Sequence, residues 1–448
     1  MSNPIPVICV SEGGLAAAGI TPAQHAWADT NGFTGQRGRL LPVPDTDAGL
    51  CAYLFGLGEA TVHPAMLTGL AGAALPAGNY RLEGTYGDPE LAAIGFRLGA
   101  YRFDRYRSGK PRPMLVPPEG VDAAEIDRQV EAATIARDLI NTPANDLGPD
   151  AFEAVIRDFA AARGMAISVT AGNDLLAANF PLIHAVGRAA AEPPRLIDLS
   201  WGDPSHPKVT LVGKGVTFDT GGLDIKGAAG MLLMKKDMGG AANVLGLTHA
   251  IVSAGLKLRL RVLIPVVENA ISAASFRPGD VLTSRKGLTV EVGNTDAEGR
   301  LILADALALA DEESPDLLFD MATLTGAARV ALGPELPPLY SADEELASAL
   351  MAAGLANDDP LWHMPLWSPY DAMMSSKIAD VNNAASGGFA GSITAALFLR
   401  RFVGKAKAWV HLDIFGWAPE ARPARSQGGT DQGIRAVYTV LKQRYPNS

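Results

Sequence analysis

The chain has 448 residues, 48% hydrophobic and 19% charged, with a formal net charge of −10, a balance expected of a soluble protein of two or three domains rather than of a nucleic-acid-binding surface. No run reaches the ~18 uninterrupted apolar residues of a membrane span, and the first residues carry neither the basic start nor the apolar stretch of a signal peptide, so a cytoplasmic location without membrane contact is expected. Cys9 and Cys51 offer no disulfide framework or thiolate cluster, as in a reducing compartment.

Residues 1–120 read as a small α/β domain, with strands at 7–10 and 51–55 and helices at 23–30, 65–74 and 89–103. Neither His25 nor His63 belongs to an acid/base constellation, and both are expected at helix ends or on the surface. Residues 105–120, with Pro111, Pro113, Pro117 and Pro118, read as a linker. Helices at 123–139 and 150–163 connect onward, giving an expected division into 1–120, linker helices 121–165 and a catalytic domain 166–448. From there strand and helix signals alternate: strands at 196–201, 209–212, 258–267, 288–292 and 317–321, with helices after Gly239 and Arg300. That order predicts a larger α/β domain whose mixed, mostly parallel sheet is flanked by helices. His249 and His411 fall in apolar surroundings and read as core histidines.

Three stretches of this domain concentrate chemistry-bearing residues. Lys214, Asp219 and Lys226 follow the apolar run 209–212 and emerge among Gly213, Gly215, Gly221 and Gly222, which let backbone turn tightly and approach a ligand closely. Asp237 lies among apolar residues where a helix to about residue 254 begins. The octapeptide Asn294-Thr295-Asp296-Ala297-Glu298-Gly299-Arg300-Leu301 leaves one predicted strand and enters a helix. If residues 296–300 stay extended, Asp296, Glu298 and Arg300 face one way, as a metal or anion site at the carboxyl end of a strand would require. The same acids would equally suit a helix N-terminus, with Arg300 paired to one of them on the surface. Gly213-Lys214-Gly215 lacks the third glycine of a dinucleotide fingerprint, and no Gly-Lys-Ser/Thr closes a phosphate loop.

Together these stretches resemble the leucyl aminopeptidase (cytosol aminopeptidase) family of dinuclear metallo-exopeptidases. The family pattern of Lys, Asp five on, Lys twelve on and Asp twenty-three on, then Asn-Thr-Asp-Ala-Glu-Gly-Arg-Leu, is met without a gap from Lys214 to Arg300. The resemblance runs from about residue 136 to about 435, while the first hundred residues match weakly. It implies metal ligands at Lys214, Asp219, Asp237, Asp296 and Glu298, for two divalent ions, Mn2+ or Zn2+ with Mg2+ as an alternative. Carboxylates suit such ions, and paired ions roughly 3.5–4 Å apart need several of them. A lysine ligand must first lose its proton, which desolvation and adjacent cations promote; outside such a site Lys214 would be a solvated loop lysine.

The resemblance further implies that Lys226 steadies the oxyanion of the scissile carbonyl and that Arg300 holds a bicarbonate ion that takes a proton from the attacking water. Arg300 could instead be an ordinary salt-bridge partner of Asp296 or Glu298. Met234, Thr323 and Leu324 are implied around the side-chain pocket, with Asn294 near the peptide backbone; Met234 could equally be core. An apolar pocket favours Leu- or Met-like residues, but with a broad preference, since one methylene is worth only about 1–3 kcal/mol. The activity implied is removal of the N-terminal residue from short peptides with a free amine, by a homohexamer. A dipeptidase or small-amide hydrolase on the same metal pair, or an additional DNA-binding role, are the alternatives. Two departures stand out: Gly227-Ala228-Ala229 where the family commonly has Pro-Ser after the second lysine, and Gly428-Gly429-Thr430-Asp431-Gln432-Gly433 near the C-terminus.

Overall fold

In a computed structural model the described residues are 3–45, 49–59, 66–109 and 111–447. His63 and the start of the helix expected at 65–74 lie outside them. The packing forms two compact units, Met1–Thr134 with Ala418–Gln427, and Ile135–Trp417 with Gly428–Ser448. This differs from the division read from sequence: the helix Ala123–Asn141 is shared between the units, and a late segment returns to the first, where Ala424 joins the core.

The first unit is built on a five-stranded sheet in the order Leu40–Pro44, Leu50–Gly58, Ile5–Ser11, Gly78–Gly84, Pro113–Leu115. The inner strands Ile5–Ser11 and Leu50–Gly58 are nearly continuous apolar runs with buried centres, as strands covered on both faces must be; these were legible. Helix Pro22–Thr30 starts at a Thr21–Gln24 capping box. Helix Pro89–Gly99 starts on Asp88 and ends four residues before the expected Phe103. The proline-rich segment is not wholly linker, because Pro113–Leu115 pairs in parallel with Gly78–Gly84 as an edge strand. Proline is tolerated there as the first residue of an edge strand.

The second unit holds the larger sheet. Its order is Trp362–His363, Pro338–Ser341, Ala408–Asp413, Leu317–Ala322, Lys208–Gly213, Arg259–Asn269, Arg195–Trp201, Ala166–Ala171, with Gly215–Asp219 also pairing along Arg259–Asn269. The central strands from Ala408–Asp413 to Arg259–Asn269 are mutually parallel, and antiparallel strands lie toward both ends. The sheet is therefore mixed and mostly parallel. Helices Gly239–Ala254 and Gly299–Glu312 are buried along most of their length, and the latter supplies the centre of an apolar cluster with Val212, Leu263, Leu318 and Phe398. Because parallel strands end together, their carboxyl ends line one edge, where a site can assemble from distant sequence. No helix among the described residues is long and apolar enough to cross a membrane.

Candidate dinuclear metal centre

The glycine-flanked stretch is a broken strand rather than a loop. Lys208–Gly213 ends, Lys214 donates its backbone N–H to Met321 O (3.0 Å) and accepts from Ala241 N (2.9 Å), and the chain resumes as Gly215–Asp219. Lys214 thus sits at a break in the sheet, and Asp219 ends the second strand. Asp237 lies in the 3-10 turn Met234–Met238 that leads into helix Gly239–Ala254. Residues 296–300 are not extended. The chain turns at Thr295 and Asp296, Glu298 is already helical (φ −73°, ψ −36°) and Arg300 lies in the first turn of Gly299–Glu312. The turn, not strand alternation, brings the three side chains together.

Every side chain singled out from the sequence lines one cavity of about 640 Å³: Lys214, Asp219, Lys226, Met234, Asp237, Asn294, Asp296, Glu298, Arg300, Thr323 and Leu324. Lys214 is buried (2% exposed), so it is no solvated loop lysine. Its Nζ lies 2.8 Å from Asp237 Oδ2 and 3.0 Å from Glu298 Oε1, and it donates to Thr323 O (3.1 Å). Gly299 makes this reach feasible, since a Cβ there would stand 2.6 Å from Lys214 Nζ. Lys226 Nζ lies 2.8 Å from Asp219 Oδ2 and also contacts Asp296. Arg300 donates from Nη1 to Asn383 O (2.6 Å), and its buried Nε has no hydrogen-bond partner. Among the described residues it forms no ion pair with Asp296 or Glu298, so the surface-pair alternative does not hold.

The carboxylates are crowded. Ligand atoms of Asp219, Asp296 and Glu298 lie within 4.8 Å of one another. Both oxygens of Glu298 are buried without an aligned hydrogen bond, Oε1 having only the charge contact with Lys214 and Oε2 having no hydrogen-bond partner. Burial, reinforced by Asp219, pushes the Glu298 carboxyl up to about 8 and the Asp296 carboxyl up to about 6. Burial acts the same way on Asp237, but Lys214 and Lys236 outweigh it and hold its pKa down. Burial lowers the Lys214 pKa, but Asp237, Glu298 and Asp219 reverse that and raise it. Lys226 is likewise raised, by Asp219 and Asp296 against its burial. Burial brings Arg300 down to about 10 despite Glu298 and Asp413. The chain's own cations hold Asp237 down but leave the Asp296 and Glu298 carboxyls raised. Buried acids with unmet oxygens are the donor set that hard or borderline divalent ions require.

Sequence reasoning missed the residues that hold these groups in place. Asn269 Nδ2 donates to Asp219 Oδ1 (2.8 Å) and Thr295 O (3.2 Å). Thr295 Oγ1 donates to Gly221 O (2.6 Å), and its N–H donates to Asp224 Oδ2 (2.8 Å); Gly221 supplies the required left-handed turn (φ 87°). Asn383 Oδ1 accepts from Gly293 and Asn294, while its Nδ2 donates to Asn294 O. Asp413 accepts from the N–H groups of Leu324 and Thr325 and from the Thr325 hydroxyl. Thr323 Oγ1 donates to Asp237 Oδ1 (2.9 Å). Lys226 N–H donates to Thr220 O (2.9 Å), just before the one-turn helix Ala228–Met231 that follows Gly227. Of the departing C-terminal segment, Asp431 takes buried ion pairs from Arg137 and Arg435. Thr220, Gly221, Asp224, Thr295 and Asp431 lay within stretches the sequence had marked, and Thr323 was itself implied at the pocket; Asn269 and Asn383 are neutral amides distant in sequence, which give no such signal.

Comparison with known proteins decides the family. Residues 134–438 match the catalytic domain of the cytosol aminopeptidase family. The chain belongs to that family. The first hundred residues, whose resemblance in motifs is weak, also belong to the family, since residues 5–117 match the M17 aminopeptidase N-terminal domain. A probable cytosol aminopeptidase of Syntrophotalea carbinolica is 39% identical over 93% of this chain and 90% of its own length, and one of Roseiflexus castenholzii is 42% identical over 79% and 77%. Among solved structures, the cytosol aminopeptidase of Coxiella burnetii superposes with a TM-score of 0.94 at 44% identity, covering 99% and 98% of the two chains. The bottromycin maturation enzyme BotP, in complex with Mn, gives 0.90 at 34%, covering 99% and 100%. As a cytosol aminopeptidase family member the chain is a metal-dependent peptidase, a hydrolase of peptide bonds.

Proposed function

We propose that this chain removes the N-terminal residue from short peptides with a free amine, with a broad, Leu-like preference, using two divalent ions held by Lys214, Asp219, Asp237, Asp296 and Glu298. The observation that carries this reading is the Glu298 carboxylate, buried without an aligned hydrogen bond beside Asp219 and Asp296. When bound, such ions supply Lewis acidity toward a carbonyl and acidify water. Lys214 favours its charged form among bare carboxylates; cations beside it invert that field and make its amine available as a ligand. The Mn in the related BotP structure favours Mn2+ for this site, with Zn2+ and Mg2+ as further candidates.

The chain's own groups do the rest. Lys226 presents a compact cation next to Asp219 and Asp296, where it stabilises charge developing on the scissile carbonyl oxygen. Arg300 keeps a buried Nε unpaired beside its bond to Asn383, a donor suited to a planar oxyanion such as bicarbonate, which would accept a proton there. Met234, Thr323 and Leu324 surround the substrate's first side chain, and Asn294 stands near its backbone. A homohexamer in the cytoplasm, acting on small unfolded peptides, completes the reading. The test is hydrolysis of Leu-p-nitroanilide and its N-acetylated form by chelated protein before and after adding Mn2+. Metal-restored cleavage of the free-amine substrate alone supports an aminopeptidase. Cleavage of the acetylated form would instead favour an amide hydrolase.

A further inference from the structure

Two cations in the cavity, Lys236 and Arg329, are neither among the expected metal ligands nor among the expected catalytic groups. Lys236 lines the cavity and is only 6% exposed. Its nearest acid oxygen, Asp237 Oδ1, is 3.7 Å away, beyond hydrogen-bond distance. That oxygen already accepts from Thr323 Oγ1, and its twin faces Lys214 at 2.8 Å. Asp413, the other acid acting on Lys236, is filled by Leu324, Thr325 and Ser392. What remains to Lys236 is the face of Phe415, 5.3 Å from Nζ. The exposed Arg329 guanidinium stands 4.7 Å from the same ring and also lines the cavity. An ammonium enclosed at the cavity wall with no acid oxygen within hydrogen-bond distance is poorly compensated, and it gains most from an anion that arrives from outside.

We infer that Lys236, with Arg329 beside it on Phe415, forms a carboxylate-accepting subsite that admits peptides beginning with Glu or Asp. This rests on the aminopeptidase reading above, which places the first residue of the peptide among Met234, Thr323 and Leu324. Lys236 lies between Met234 and Asp237 in one 3-10 turn, so a carboxylate that reaches it belongs to that residue's side chain. The apolar members of the pocket still accommodate Leu-like side chains, and the cationic wall adds a second substrate class.

The test compares kcat/KM for Glu-, Gln-, Asp- and Leu-p-nitroanilide, and for Leu-Gly against Leu-Gly-amide, using metal-reconstituted wild type, Lys236→Met and Lys236→Arg. Wild type should cleave the Glu substrate about 10-fold better than its neutral isostere Gln. Lys236→Met should lower the Glu-to-Leu ratio about 10-fold or more, and Lys236→Arg should keep it within about threefold. A ratio is insensitive to the fraction of folded enzyme, and the wild-type Glu/Gln comparison needs no variant. Equal cleavage of Glu and Gln by wild type, or an unmoved ratio in Lys236→Met, overturns the inference while Leu cleavage keeps the aminopeptidase reading. A change confined to Leu-Gly against Leu-Gly-amide also overturns it, assigning the carboxylate to the peptide's other end. Wild type that cleaves no amino-acyl substrate at all removes the underlying reading and this one with it.

Discussion

The two compact units share a plan, a largely parallel sheet packed with helices, yet they bury charge differently. Among the described residues of the first unit, Glu125 is the one buried charged side chain, and Arg128 and Gln129 cover it. The second unit buries many, and these fall into two kinds. Asp311 accepts from the N–H groups of Gly404, Lys405 and Ala406; Asp320 holds Trp409 and His411; Asp359 accepts from Gly433, Arg435 and Ala436. Glu298 has only its charge contact with Lys214, the Nε of Arg300 has no hydrogen-bond partner, and Lys236 has only distant ones. Burial alone therefore does not mark function. Saturated buried charges fasten the scaffold, and unsaturated ones wait for something the chain does not contain.

That distinction can be broken by experiment. The largest effect belongs to Glu298→Ala, which should lower kcat/KM on the order of 10³-fold without lowering the Tm of the chelated protein, because no aligned hydrogen bond is lost; a large drop in that Tm would make Glu298 structural. Lys226→Ala should cost about 10²–10³-fold in kcat, measured with metal-saturated enzyme, and a change in KM alone would deny it the oxyanion role. Asp311→Ala should do the reverse. By orphaning three N–H groups it should destabilise by about 3 kcal/mol in urea unfolding, while the folded fraction keeps its kcat/KM. The smallest effect concerns Asp305, whose oxygens accept from Leu182, Ile183 and Arg285 N–H groups. Burial outweighs those bonds and raises its carboxyl from 3.8 to about 7. A raised folded pKa means its contribution is full below about pH 4 and is lost as pH rises through 7. Asp305→Asn should flatten that part of the stability profile, and an unchanged slope would show that Asp305 ionises freely in the fold.

How much was legible follows the same line. Charged residues in a spaced pattern announced themselves, and all of them reached one cavity. Four strands near the middle of the large sheet, Arg195–Trp201, Lys208–Gly213, Arg259–Asn269 and Leu317–Ala322, were readable as apolar runs, because central strands are buried on both faces; the strand expected at 288–292 forms as Thr289–Glu291 but pairs with Val281–Thr283 and Val381–Asn382 in a separate small sheet. The short strands Leu40–Pro44 and Gly78–Gly84 were not read: each alternates buried and half-exposed positions over a few residues, and the first carries two prolines. The extended reading of residues 296–300 failed because the tertiary clamp of Asn383 and Thr295 sets that turn, and period-two spacing cannot see a clamp from elsewhere in the chain. Lys236 was passed over for the opposite reason. Beside Lys235 it looks like an ordinary solvated pair, and only packing shows that it is enclosed.

The most direct measurement is metal binding by the chelated protein, titrated with Mn2+ and followed by bound metal per chain, Tm and Leu-p-nitroanilide cleavage together, with Glu298→Ala in parallel. Two ions per wild-type chain, a rising Tm, activity that appears with the ions, and fewer than two ions in Glu298→Ala are the results expected if the unsaturated carboxylates form a dinuclear centre. Full cleavage by wild type after complete chelation, or Glu298→Ala binding two ions as wild type does, would contradict it.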